Sequence, residues 1–116
     1  SYTHSDFGVI TSTETLEDIQ NWKAEVESLV GETDIFIYPY GSEVEYPGEK
    51  LELLQEAGFR FFCGVWGTEE FLYIDGDYVR QSRRNFDGYT MHYNGEYQTE
   101  FFEPDEVLDA TRPAFQ

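Results

Sequence analysis

His4, in the run Ser1-Tyr2-Thr3-His4, carries an imidazole that near neutral pH can bind a metal ion or move a proton. The run Tyr38-Pro39-Tyr40-Gly41 closes an apolar stretch. Pro39 and Gly41 are turn-forming residues. The Tyr40 N–H between them stands at a strand end and can point into a cleft at no reorganisation cost. Pro-x-Gly equally marks an ordinary strand-to-loop turn. Arg80, Arg83 and Arg84 fall close together in a chain with only seven basic residues. They can form a surface patch that pairs with surrounding carboxylates. His92, in Tyr89-Thr90-Met91-His92, is the other histidine of the chain and reads as a solvent-facing side chain. Trp66 follows an apolar run and can stack on a sugar ring or pack in a core.

These residues need elements to position them. From Thr15 to Val30, Leu16, Ile19, Trp22 or Lys23, Val26, Leu29 and Val30 recur at three- and four-residue steps, which predicts a helix with one apolar stripe. Thr15 with Asp18 resembles a capping box, and Gly31 suits the position after the last turn. Pro47 to Gly58 predicts a second helix with Leu51, Leu54 and Ala57 inward. Each helix leads into a short apolar run, Asp34 to Tyr38 and Phe59 to Val65, of the kind buried in parallel sheets. Phe71 to Gln81 predicts a hairpin with Asp75-Gly76-Asp77 at its turn, and Arg83 and Arg84 fall on a strand, where only one can face a cleft. Pro104 opens a short helix through about Ala110. Helix, strand, helix, strand is the rhythm of an α/β fold. Two parallel strands with helices leave open edges, which implies that elements are missing on the N-terminal side.

Composition narrows the partners. The chain has 116 residues, room for one small domain, and 18% aromatic content, too rich for disorder. With 24 acidic against seven basic residues its net charge is -17. Nucleic acids and anionic membrane surfaces need a basic footprint and are poor partners; a neutral glycan polymer is not excluded. Cys63 is the single cysteine, so neither an internal disulfide nor a Cys-rich zinc site is available. There is no apolar run of membrane-spanning length.

Taken together, these runs resemble the polysaccharide deacetylase family (the NodB homology domain, or carbohydrate esterase family 4). That family carries a metal motif His-Ser/Thr-x-x-His, and Ser1-Tyr2-Thr3-His4 matches its last four positions. Tyr38-Pro39-Tyr40-Gly41 is similar to the family's Arg-Pro-Pro-Tyr-Gly or Tyr-Pro-Tyr-Gly motif. The helix ending Glu56-Ala57-Gly58-Phe59 comes at the family's usual distance beyond it. The match covers roughly Ser1 to Val65 and is looser beyond. Two departures stand out: Ile37 occupies the position of the motif's Arg, and the family's Asp-Asp pair is not in the chain.

The resemblance implies a single, N-terminally truncated domain over residues 1–116, part of a distorted (β/α) barrel with a C-terminal hairpin and short helix. It implies metal-dependent removal of N- or O-acetyl groups from a glycan polymer, outside the cell or in a bacterial cell envelope. His4 would be one ligand of a divalent ion, zinc first, with cobalt, nickel or manganese as alternatives. The Tyr40 N–H would bind the oxyanion, Pro39, Tyr40, Gly41 and Trp66 would line the substrate groove, and Arg84 or Arg83 would replace the missing guanidinium. The piece alone would be inactive unless a second chain or the upstream half completed it. The alternative is a non-catalytic carbohydrate-binding or interaction module.

Overall fold

The computed structural model describes residues 1–65, 70–109 and 111. The chain divides into two units, Ser1–Arg83 and Arg84–Gln116.

In the first unit, α1 runs over Ser12–Trp22. Its cap is Thr11, whose hydroxyl accepts the Glu14 N–H at 3.2 Å while the Glu14 carboxylate accepts the Thr11 N–H at 2.8 Å. This reciprocal pair satisfies two first-turn donors, and the Thr11 amide holds the Glu14 carboxyl below its ordinary pKa. The capping box therefore lies at Thr11 and Glu14, not at Thr15 and Asp18, which are buried inside the helix. After Trp22 the helix widens into a π turn over Lys23–Glu27 before a last α turn, Ser28–Val30. A π turn carries one extra residue and rotates the rest of the helix by roughly 100°. The expected stripe consequently breaks: Leu29 and Val30 are 84% and 69% exposed. Gly31 ends the helix at φ 90° and ψ 171°, a positive-φ conformation that suits glycine but is not the left-handed helical one expected.

Strand β1 (Ile35–Ile37) leads through the Pro39–Gly41 turn to α2 (Glu49–Glu56), which ends at Gly58 with φ 100°. Strand β2 (Phe61–Gly64) pairs parallel to β1, Phe36 opposite Phe62. Strands β3 (Leu72–Asp75) and β4 (Tyr78–Ser82) form the hairpin. Its two central residues are Gly76 and Asp77, with glycine first, as a type II′ turn requires. β4 pairs parallel to β2, giving a four-stranded mixed sheet in the order β1-β2-β4-β3.

The two faces of this sheet differ. Phe36, Tyr38 and Phe62 point to one side and meet Ile19 of α1, Leu51 and Leu54 of α2, and Phe7, Val44 and Phe59 in a continuous apolar core. The ring of Phe36 lies edge-on to Phe7 at 4.8 Å and to Phe59 at 5.2 Å. The opposite face carries Ile35, Ile37, Phe61, Cys63, Val79, Gln81, Leu72 and Ile74 by strand alternation and register. No ionisable acid or base other than the Cys63 thiol stands among them, yet Phe61 is 41% and Ile74 69% exposed. The near-continuous apolar strands predicted burial on both faces; among the described residues, helices cover only one.

The second unit is small. Helix α3 (Gly88–Asn94) starts at Asp87, whose carboxylate accepts the Thr90 N–H at 2.7 Å. A 3-10 turn over Gly95–Tyr97 and helix α4 (Pro104–Val107) come after it. Phe86 packs edge-on to Phe101 at 5.5 Å and against Phe102 at 5.6 Å. Among the described residues no helix is long and apolar enough to cross a membrane.

Candidate functional site

Asp18 organises the N-terminal segment. Its buried carboxylate accepts the N–H groups of Tyr2 and Thr3 at 2.9 and 2.7 Å and the Thr3 hydroxyl at 2.6 Å. Charge-assisted bonds of this kind are the strong class. They hold the chain so that His4, in the left-handed region at φ 58°, sets its exposed ring edge-on to Tyr40, centroids 5.1 Å apart. Asp18 was singled out in the sequence only as a cap partner; its role as a long-range clamp has no local signature. Asp18→Ala should cost about 2 kcal/mol, the scale for bonds to a charged acceptor. It should also abolish the nuclear Overhauser effects between the His4 and Tyr40 rings.

The turn beyond β1 is fixed from below and from the side. Tyr38 is fully buried, and its hydroxyl pairs with that of Tyr46 at 2.7 Å. Burial raises the pKa of both phenols, so both stay protonated. Pro39 is buried. Tyr40 stands at φ 58° and is 73% exposed, and Gly41 comes next at φ 72°. A Cβ on Gly41 would lie 2.6 Å from Val65 Cβ, so glycine is needed both for the backbone and for the close approach. The Gly41 and Ser42 amides turn back onto the carbonyls of Tyr38 and Pro39. The Tyr40 amide has no hydrogen-bond partner among the described residues.

Of the clustered arginines, Arg83 reaches this turn. Its backbone N–H donates to the Gly64 carbonyl at 2.9 Å, and its guanidinium donates to the Tyr38 carbonyl at 3.3 Å. Arg83 Nε is buried without a hydrogen-bond partner among the described residues. Arg83 continues the Val79–Gln81 side of β4, the side that also carries Ile37 and Cys63. Burial raises the Cys63 thiol pKa, and Arg83 works in the opposite direction. Arg84 is engaged inside the second unit: its guanidinium donates to the Tyr97 carbonyl, lies 3.6 Å from Glu100 and sits over Phe101 at 5.2 Å. β4 ends at Ser82, so neither arginine lies on the strand expected for them. His92 is exposed on α3, edge-on to Tyr93 at 4.6 Å. Trp66 lies outside the described residues.

Arg80 makes the contact that sequence reasoning missed. Its guanidinium meets the Glu43 carboxylate at 2.6 Å and stacks over Tyr46 at 4.0 Å. A Cβ on Gly64 would collide with that carboxylate. Gly41, Glu43, Val44, Tyr46, Val65 and Arg80 line a shallow cleft next to the turn. The 37-residue separation of Glu43 and Arg80 explains why no local pattern announced the pair.

Among the described residues no three His, Cys, Asp or Glu side chains cluster as a metal-binding group. His4 brings one imidazole, and one imidazole does not make a metal site. No family model, curated protein or solved structure matches the chain.

Proposed function

We propose that the chain is the C-terminal portion of a polysaccharide deacetylase-type (β/α) barrel, whose intact form hydrolyses acetyl groups from a glycan polymer outside the cell or in a bacterial cell envelope. One observation carries this reading. His4, Tyr40 and Arg83, from three separate stretches of sequence, gather around the turn at the C-terminal end of β1. Catalytic groups collect at that end of the strands in (β/α) barrels. The uncovered apolar face supports the same reading, since a barrel strand needs its inner side filled.

In this reading the unpartnered Tyr40 N–H donates to the oxyanion of the tetrahedral intermediate. Arg83 orients a carboxylate supplied from elsewhere, standing in for the guanidinium missing at Ile37. Pro39 and Gly41 border the glycan. His4 alone does not fit a resident divalent ion, zinc or another. The remaining ligands and the general base would come from outside residues 1–116, and the 116-residue chain alone is expected to be inactive. A second reading, a glycan-binding module without turnover, draws on the exposed Tyr89 and Tyr93, whose rings lie 4.7 Å apart and tilted by 48° on α3.

The coding sequence upstream of Ser1 tests the proposal. A His codon immediately before Ser1, with an Asp-Asp pair further upstream, is the expected finding. The protein carrying both should hold one equivalent of metal and release acetate, and His4→Ala should lose both together. An unrelated upstream segment, or stoichiometric metal retained in His4→Ala, would overturn it.

A further inference from the structure

The outer margin of β1, the terminal strand of the sheet, is unpaired among the described residues. The Tyr38 N–H donates to Cys63 and the Asp34 carbonyl accepts from Phe61, so the even-numbered backbone groups face β2. By the alternation of a β ladder, the Ile35 and Ile37 carbonyls and the Ile37 N–H face outward. The Ile35 N–H is already held by the Thr33 hydroxyl at 3.2 Å. Exposed edges of this kind are normally covered or blunted by charge, and neither Ile35 nor Ile37 supplies a charge.

A groove runs beside this edge, between β1 and α1. Ile19, Trp22, Phe36 and Phe59 give it apolar walls, and Ser1 lies at its margin. Its one carboxylate, Asp18, is occupied by Tyr2 and Thr3. The groove therefore suits an uncharged, apolar occupant.

Handedness fixes which way such an occupant runs. Ile19 of α1 and Leu51 and Leu54 of α2 share one core against the same face of the sheet. The β1–α2–β2 unit is a parallel crossover, and such crossovers are right-handed almost without exception. A strand leading into α1 over that same face must then lie on the side of β1 opposite β2, which is the free edge. We infer that the outer edge of β1 accepts an extended strand, parallel to β1 and entering α1 through Ser1, whose apolar side chains fill the groove walled by Ile19, Trp22 and Phe59. The recognition is strand addition, in which backbone bonds give affinity and the groove selects alternate side chains. A second copy of the chain is a poorer occupant, because each copy carries a net charge of -17. This inference does not depend on the hydrolase reading: it stands or falls on the edge, whatever the site does.

The test compares two versions of the full chain by amide hydrogen exchange. One carries six alternating Thr and Val residues fused directly ahead of Ser1; the other carries six Gly and Ser residues. Direct fusion places the strand at high effective concentration. The Thr/Val chain should exchange the Ile37 amide about tenfold more slowly or better, with a shifted Trp22 indole resonance and no change in β3 at the opposite margin. Equal Ile37 exchange in the two fusions would overturn the inference. So would a dimer of the unextended chain that already protects Ile37, since the occupant would then be a second copy.

Discussion

Phe62→Ala should cost unit Ser1–Arg83 about 4 kcal/mol, the scale for emptying a fully buried aromatic site. Phe62 has no exposed surface and lies within 6.3 Å, centroid to centroid, of Tyr38, Tyr46 and Tyr78. Truncation would leave a void beneath three aromatic rings that cannot collapse together. A loss of this size is a large part of the margin by which a small domain is stable. Urea unfolding should show a midpoint far below wild type, and Phe62→Leu, which keeps most of the volume, should lose much less. The adjacent residue supplies the internal comparison. Phe61 points to the uncovered face, so Phe61→Ala should change stability by only about 0.5 kcal/mol. A loss at Phe61 matching that at Phe62 would mean that the second face is covered in solution.

The second large effect belongs to Arg80 and Glu43. Their side chains retain 19% and 7% of their accessible surface, so the pair is largely withdrawn from water. Removing one partner of a buried pair costs about 3 kcal/mol or more, because the remaining charge keeps its desolvation penalty. Arg80→Met, which retains the stem over Tyr46, isolates that effect. The double variant Arg80→Met, Glu43→Met should recover most of the loss, since apolar replacement of a whole buried pair is often neutral. Thermal unfolding of the two singles and the double closes the cycle. A coupling below about 1 kcal/mol would place the pair with ordinary surface ion pairs instead.

Local sequence patterns announced much of the first unit. The helix, strand, helix, strand order came from apolar periodicity, and the hairpin from Asp75-Gly76 and flanking apolar residues, although the two central residues are Gly76 and Asp77. The features that escaped depend on what a single window does not contain. The π turn at Lys23–Glu27 shifts the helical phase, so Leu29 and Val30 fit a stripe that the backbone no longer keeps. Thr15 and Asp18 have the residue types of a cap, but Thr11 and Glu14 take that place and Asp18 turns to the Tyr2 and Thr3 amides. Helix α3 contains Gly, Thr, Tyr and Asn, weak helix formers, and gave no periodic signal. At the candidate site, the Tyr38–Gly41 turn was legible from Pro and Gly, and the cluster Arg80, Arg83 and Arg84 from its density. Which arginine turns toward that turn is decided by where β4 ends.

The apolar sheet face also bears on how copies of this chain behave in concentrated solution. At neutral pH the net charge of -17 acts as a colloidal barrier, holding the apolar faces of separate molecules beyond contact range. Salt shortens the reach of that barrier to about 3 Å at molar ionic strength. Acidification removes its source by protonating the carboxylates. In either condition Ile35, Ile37, Phe61, Leu72 and Ile74 lose the repulsion that keeps them apart, and the sheet face becomes the adhesive surface of the molecule.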